Sequence, residues 1–144
     1  MVYLLDANVL IALGDVNHPH HAIGMRFMKN LATSDAWATC PLTENAFLRV
    51  LGRRQIEGTT TTPNSIRANL LLLLKQPRHQ FWPDDLSLSD TTFFPRLPSA
   101  LELTDLYLLG LAAKHGGVLA TFDRRINPTL VSGGAQALHV LAGE

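Results

Sequence analysis

The chain has 144 residues, a hydrophobic fraction of 47% and a charged fraction of 17%, which excludes a disordered polypeptide and leaves room for one ordinary core. Twelve Lys and Arg balance 12 Asp and Glu, so the formal net charge is zero and a broadly basic nucleic-acid binder is excluded; contact with a polyanion must come from local patches. The single cysteine, Cys40, follows the apolar run AWAT and reads as a small core residue that suits a reducing compartment.

The N-terminal MVYLLDANVL is apolar, but Asp6 interrupts it and no basic lead precedes it, so a cleaved secretory signal is not expected. The longest leucine run, Leu70 to Leu74, is far short of a membrane span. A cytoplasmic protein without membrane contact is the expectation. Val2 to Leu5 reads as a short buried strand ended by Asp6, and Ala7 to Leu13 as a helix stopped by Gly14. From His18 to about Thr33, Ile23, Phe27 and Leu31 fall on one side of a helix. Ala36 to Cys40 is β-prone. Pro41 to Leu51 reads as a helix with Thr43 as capping candidate and Phe47, Leu48 and Leu51 as its apolar face.

Gly58 to Pro63 breaks the pattern, and Pro63 to Gln76 resumes it as a helix with a broad apolar face. His79 to Pro83 reads as a short strand. Pro83, Pro95 and Pro98 interrupt the stretch from Asp84 to Ser99, which supports no regular element. Thr104 to His115 is a helix with Thr104 as expected N-cap, ended by Gly116 and Gly117. Val118 to Phe122 and Leu138 to Leu141 close the series as strands. There is no internal repeat and no linker, so residues 1–144 are expected to form one domain. Short apolar strands alternating with helices imply a mainly parallel sheet covered by helices on both faces, a three-layer α/β/α arrangement.

Four acids stand out against this pattern: Asp6 in LLDANVL, Glu44 in PLTENAFLRVL, Asp105 in LTDLYLLGLAAKHGG and Asp123 in VLATFD. Each borders an apolar segment, where isolated charge costs several kcal/mol or more. Asp6 and Asp123 directly follow strands and so point to the same sheet edge, where ligands bind in such folds. Glu44 shares a helix face with Phe47, Leu48 and Leu51, and Asp105 shares one with Leu108, Leu109 and Ala112. Singly, Asp6 reads as a helix N-cap and Asp105 as a first-turn acid that complements the helix dipole. Together, the four would repel unless a cation sat among them, and oxygen-only ligands suit Mg²⁺ or Mn²⁺. That chemistry fits phosphoryl transfer on a nucleic acid backbone.

The residues LLDANVLIAL, LTENAFLRVL and LTDLYLLGLAAKHGGVLATFD, in this order and over nearly the whole length, resemble a PIN-domain ribonuclease, and more narrowly a VapC-type toxin of a toxin–antitoxin pair. The resemblance implies an endoribonuclease in which Asp6, Glu44, Asp105 and Asp123 are catalytic and hold Mg²⁺ or Mn²⁺, with Asn8 and Thr121 as supporting polar groups. Some relatives place a further acid just after the fourth. Here Arg124 and Arg125 stand there, with Asn127 the nearest polar group, which leaves a first metal supported and a second one not. The resemblance also implies an RNA substrate, a small antitoxin partner and a homodimer. The apolar residues Ile66, Leu70 and Leu73 are the expected dimer face. A groove near Val9, Ala12 and Phe27 is the expected seat of an antitoxin helix, with an antitoxin Arg entering the acid pocket.

Arg53, Arg54, Arg124 and Arg125 are candidates for phosphate contact, with ordinary solvated surface as the alternative. His18, His20 and His21 lack a second ligand cluster and read as surface or capping residues rather than a zinc site. His115 is expected to serve a helix C-terminus. Two other functions compete. One is a haloacid-dehalogenase-like phosphatase with Asp6 as nucleophile, but that chemistry wants an acid where Asn8 stands. The other is a PIN-like binding module without chemistry, against which the presence of all four acids argues.

Overall fold

The computed structural model describes residues 1–56 and 58–142, so residues 57, 143 and 144 of the expected 1–144 domain lie outside the described residues. In chain order the elements are β1 (Val2–Leu5), α1 (Ala7–Gly14), α2 (His21–Lys29), β2 (Ala36–Thr39), α3 (Pro41–Leu51), β3 (Gln55–Ile56), β4 (Thr59–Thr60), α4 (Pro63–Leu74), β5 (His79–Phe81), α5 (Leu103–Lys114), β6 (Val118–Thr121) and β7 (Leu138–Val140). Short 3-10 turns at Ala100–Glu102 and Pro128–Leu130 flank α5 and β6.

Five strands form one sheet in the order β5-β2-β1-β6-β7, with every pairing parallel. The chain builds outward from β1 through β2 to β5, then returns to the other side of β1 to lay down β6 and β7. The switch point is therefore between β1 and β6, where a parallel sheet opens a crevice beyond its strand ends. Alternation along the strands sorts two cores. Leu4, Ala38 and Leu119 pack toward α5, with Leu106, Leu109 and Trp82. Leu5, Trp37 and Ala120 pack toward α1, α3 and α4, with Val9, Leu10, Phe47 and Leu70. Strands buried on both faces explain why they read as continuous apolar runs.

Several local features follow directly from the sequence. Pro63 opens α4, and Thr62 caps it by accepting from Ser65 N at 3.1 Å. In α3, Cys40 takes the N-cap position. Thr43 lies three residues inside, where its hydroxyl accepts from Cys40 N at 3.1 Å and so completes a capping box. Gly116 follows α5 with φ of +67°, which suits glycine. Gly117 is confined for another reason, since a Cβ there would meet the Val2 carbonyl oxygen at 2.6 Å.

The structure departs from the pattern in four places. Helix α2 begins at His21, because His18 to His20 form a turn in which His18 Nδ1 accepts from His20 N. The expected break from Gly58 to Pro63 carries β4, which pairs antiparallel with β3 just ahead of it. Helix α5 is capped at Glu102, which leaves Thr104 within the first turn. The irregular stretch after β5 is nonetheless fixed in place: Phe94 is 2% exposed and packs against α5.

Two expected partner surfaces also move. Val9 and Ala12 are fully buried beneath α2 and the sheet, so neither can line a groove, and Phe27 is half-buried edge-on to Tyr3. Ile66 and Leu70 turn inward at 7% and 4% exposure, whereas Leu71 and Leu72 are the exposed leucines of α4, at 51% and 63%.

Candidate active site

Asp6 sits at the carboxyl end of β1 and is 3% exposed. Its carboxylate is held from two sides. Oδ1 accepts from Ala7 N at 2.7 Å, capping α1, and Oδ2 accepts from the Thr121 hydroxyl at 2.7 Å. Thr121, at the end of neighbouring β6, is fully buried. Its oxygen also accepts from Asp123 N at 3.1 Å and from Asn8 Nδ2 at 3.4 Å. Asn8 Oδ1 in turn accepts from Phe122 N at 3.4 Å. Asn8 and Thr121 thus lace the ends of β1 and β6 together and fix the backbone that carries Asp123.

Burial pushes the Asp6 carboxyl up to about 6, and the negative charges of Asp105 and Asp123 push in the same direction, against the lowering effect of its hydrogen bonds. Asp105, in the first turn of α5, is also held above its ordinary value, first by burial and then by Asp123, with Glu102 adding to the rise. Asp123 goes the other way. Arg125 donates to its Oδ1 through the backbone N at 2.9 Å and through Nε at 3.1 Å, and this holds the Asp123 carboxyl below the usual range. Asp105, Asp123, Glu102 and Arg125 line one cavity of about 340 Å³, together with Asn127, whose own Oδ1 is engaged by Thr129 N.

Glu44 is on the same sheet edge, in the first turn of α3, but it faces Thr39 at the end of β2. The Thr39 hydroxyl donates to Glu44 Oε2 at 2.6 Å. Asp6, Asp105 and Asp123 therefore act on one another electrostatically, while Glu44 is fastened on the β2 side. Among the described residues no three Asp, Glu, His or Cys side chains are already spaced to enclose a metal ion. The donor set still has the chemistry of a hard-cation site: oxygen ligands only, with the Asp6 carboxyl raised first by burial and further by its like-charged neighbours.

The basic candidates divide. Arg125 pairs with Asp123, and Arg54 pairs with Asp15 at 2.5 Å. Arg53 and Arg124 are exposed. The histidines serve local structure: His21 Nδ1 lies 2.6 Å from Ala12 O, and His20 packs at a tilt against Phe122, with ring centroids 4.8 Å apart. His115 caps α5, stacks on Trp82 at 4.4 Å and meets Asp85 Oδ1 at 3.0 Å. Sequence reasoning missed three participants. Glu102 carries no motif. Thr39 and His79 acquire their relation to Glu44 only through the pairing of β2 with β5.

This is a parallel α/β fold with carboxylates at the switch point of its sheet, and the family model for the PIN domain matches residues 3–129. The chain belongs to the PIN-domain family. It is 38% identical over 140 residues to ribonuclease VapC39 of Mycobacterium tuberculosis, covering 96% of this chain and 100% of that protein. It is 35% identical over 133 residues to ribonuclease VapC44 of the same organism, covering 90% and 92%. Among solved structures, VapBC2 from Rickettsia felis, bound to a DNA fragment from its promoter, superposes with a TM-score of 0.63 at 16% identity over 99% of this chain and 100% of that one. Within the family the relatives are VapC ribonucleases, and the phosphatase alternative falls with that placement.

Proposed function

We propose that this chain is a divalent-metal-dependent endoribonuclease, the toxin half of a toxin–antitoxin pair, and that residues 1–144 form one nuclease domain. The observation that carries the reading is Asp6: an almost fully buried carboxylate at the sheet switch point, raised to about 6 with Asp105 and Asp123 acting on it. Asp6, Asp105 and Asp123 are the residues that would hold a Mg²⁺ or Mn²⁺ ion, with Glu44 contributing from the β2 side. Bound there, such an ion would supply Lewis acidity toward a phosphoryl oxygen and would lower the pKa of a water enough to provide a hydroxide nucleophile at neutral pH.

The protein's own residues do the rest. Thr121 and the first N–H of α1 orient the Asp6 carboxylate, and Asn8 holds the β6 end that presents Asp123. Arg125 brings a guanidinium to the mouth of the acid pocket, where an RNA phosphate would be met. Arg53 and Arg124 extend basic surface for weaker contact. The substrate is RNA, and its attack needs no covalent enzyme intermediate.

The antitoxin is a protein partner. Arg125 on Asp123 illustrates how a guanidinium satisfies these acids, and an antitoxin Arg would do the same from outside. An apolar helix of that partner fits the groove of about 890 Å³ lined by Leu13, Met25, Met28, Leu31, Trp37 and Leu73. This groove replaces the position near Val9 and Ala12. A homodimer would use the exposed Leu71 and Leu72 of α4 in place of Ile66 and Leu70. Among the described residues no helix is long and apolar enough to cross a membrane, and the cytoplasm is the proposed site of action.

The test is cleavage of structured RNA by the purified, partner-free chain with Mg²⁺ or Mn²⁺. Activity should vanish in EDTA and in Asp6→Asn. Full cleavage in either condition would sink the mechanism.

A further inference from the structure

Glu44 does not stand alone on the β2 side. The hydroxyl of Thr39, fully buried, lies between two groups: it is 2.6 Å from Glu44 Oε2 and 2.8 Å from His79 Nε2. A hydroxyl has one proton. With that proton given to the carboxylate in a short, charge-assisted bond, the Thr39 oxygen must accept from His79, so Nε2 carries the imidazole hydrogen. His79 is not free to turn away. It sits opposite Trp37 in the β2–β5 register and packs against the Trp37 ring at 4.6 Å. The Trp37 indole is itself anchored, donating to Pro77 O at 3.1 Å. Burial also holds the His79 imidazole below its ordinary value, in keeping with a neutral ring that has one hydrogen to place.

We propose that Thr39 and His79 are positioning residues for Glu44: the His79 Nε2–H directs the only proton of Thr39 at Oε2 and so fixes the direction in which Glu44 offers its carboxylate to the cation site. This rests on the reading of Glu44 as a metal-holding acid. Contacts of this outer kind orient the ligands themselves, and their loss typically weakens metal affinity by about 10–100-fold. Because Glu44 enters from α3 and the other three acids enter from the β1–β6 side, the chain Trp37–His79–Thr39–Glu44 ties the outer strand β5 to the site. That gives the short β5 a functional reason to be where it is.

The experiment pairs a structural readout with a functional one. Long-range ¹H–¹⁵N spectra of the intact, metal-free protein should show His79 as the Nε2–H tautomer, and the signal should shift in Thr39→Val. Mn²⁺ titration and RNA turnover are then compared in the parent, Thr39→Val, Thr39→Ser, His79→Leu and His79→Gln. Thr39→Val and His79→Leu should lose about tenfold or more in Mn²⁺ affinity and in kcat, with KM for RNA little changed. Thr39→Ser, which keeps the hydroxyl, and His79→Gln, which keeps a donor, should restore most of both. An Nδ1–H tautomer overturns the proposal, and so does a Thr39→Ser as impaired as Thr39→Val. A Thr39→Val that matches an active, Mn²⁺-binding parent overturns it while leaving the nuclease reading intact. A parent that neither binds Mn²⁺ nor cuts RNA overturns both.

Discussion

The Thr121 hydroxyl donates to Oδ2 of Asp6 at 2.7 Å, joining side chains 115 residues apart at the ends of adjacent parallel strands. This one bond carries both structure and site, because the same oxygen accepts from Asp123 N. Replacing Thr121 by Val keeps the shape and removes the hydroxyl. Asp6 loses a contact that lowers its pKa, so its carboxyl should rise further, and the partly buried N–H of Asp123 loses its acceptor. Expected are a stability loss of about 1–3 kcal/mol in denaturant titration and a RNA cleavage optimum moved to higher pH. An unchanged pH profile would detach Thr121 from the chemistry.

Asp6 makes the metal-free protein pH-sensitive in a definite direction. Its folded-state pKa of about 6 lies above the ordinary 3.8, so the folded state holds this proton more tightly than the unfolded chain. Its stabilising contribution is present below about pH 4 and is lost as pH rises through 6. The difference corresponds to about 3 kcal/mol of strain at pH 7. Asp6→Asn removes the titration. In thermal melts without metal, the variant should gain on the parent between pH 4 and 7, even as cleavage disappears. A gap between the two that stays constant across this range would refute the assignment.

Much of the site was legible because strand ends fix it. Asp6 follows β1 directly and Asp123 lies two residues after β6, so any parallel pairing sends both to one edge. Asp105 was legible from its place among Leu108, Leu109 and Ala112, all buried. The surroundings of Glu44 were not. Thr39 and His79 are 40 residues apart, and only the β2–β5 register brings them together. Residues 84–99 were opaque because no periodicity governs them. They are held by single insertions, Phe94 above all, and by turns such as Asp90, whose Oδ1 accepts from Thr92 N. The outward faces of α1 and α4 were misjudged for a related reason. Apolar residues cover nearly the whole circumference of both helices, and periodicity cannot then tell which side meets the sheet.

That irregular stretch yields a prediction of its own. A Cβ at Gly110 in α5 would stand 2.4 Å from Cζ of Phe94 and 3.2 Å from a Leu86 methyl. The Phe94 ring is buried and cannot retreat into solvent. Gly110→Ala should therefore cost about 1–3 kcal/mol by overpacking, despite alanine's better helix propensity. Mn²⁺ affinity of the folded variant should be unaffected, because Gly110 is directed at the core. A stabilised Gly110→Ala would mean that the Phe94 segment yields easily.

Arg125 tests whether the acid pocket and the RNA surface share a residue. Its guanidinium is almost fully solvated while it pairs with Asp123, so the pair adds little to folding, and Arg125→Ala should melt close to the parent temperature. Without this partner the Asp123 carboxyl should rise toward its ordinary value and yet remain ionised at neutral pH. A competitor for the carboxylate is gone, so Mn²⁺ should bind at least as tightly as in the parent. Substrate binding should move the opposite way. KM for RNA should increase, and its dependence on salt should become shallower by roughly one phosphate contact. Titration of Mn²⁺ and of RNA at two ionic strengths separates these effects. A variant that binds metal more weakly, with RNA binding unchanged, would make Arg125 a strut for Asp123 and remove it from the RNA surface.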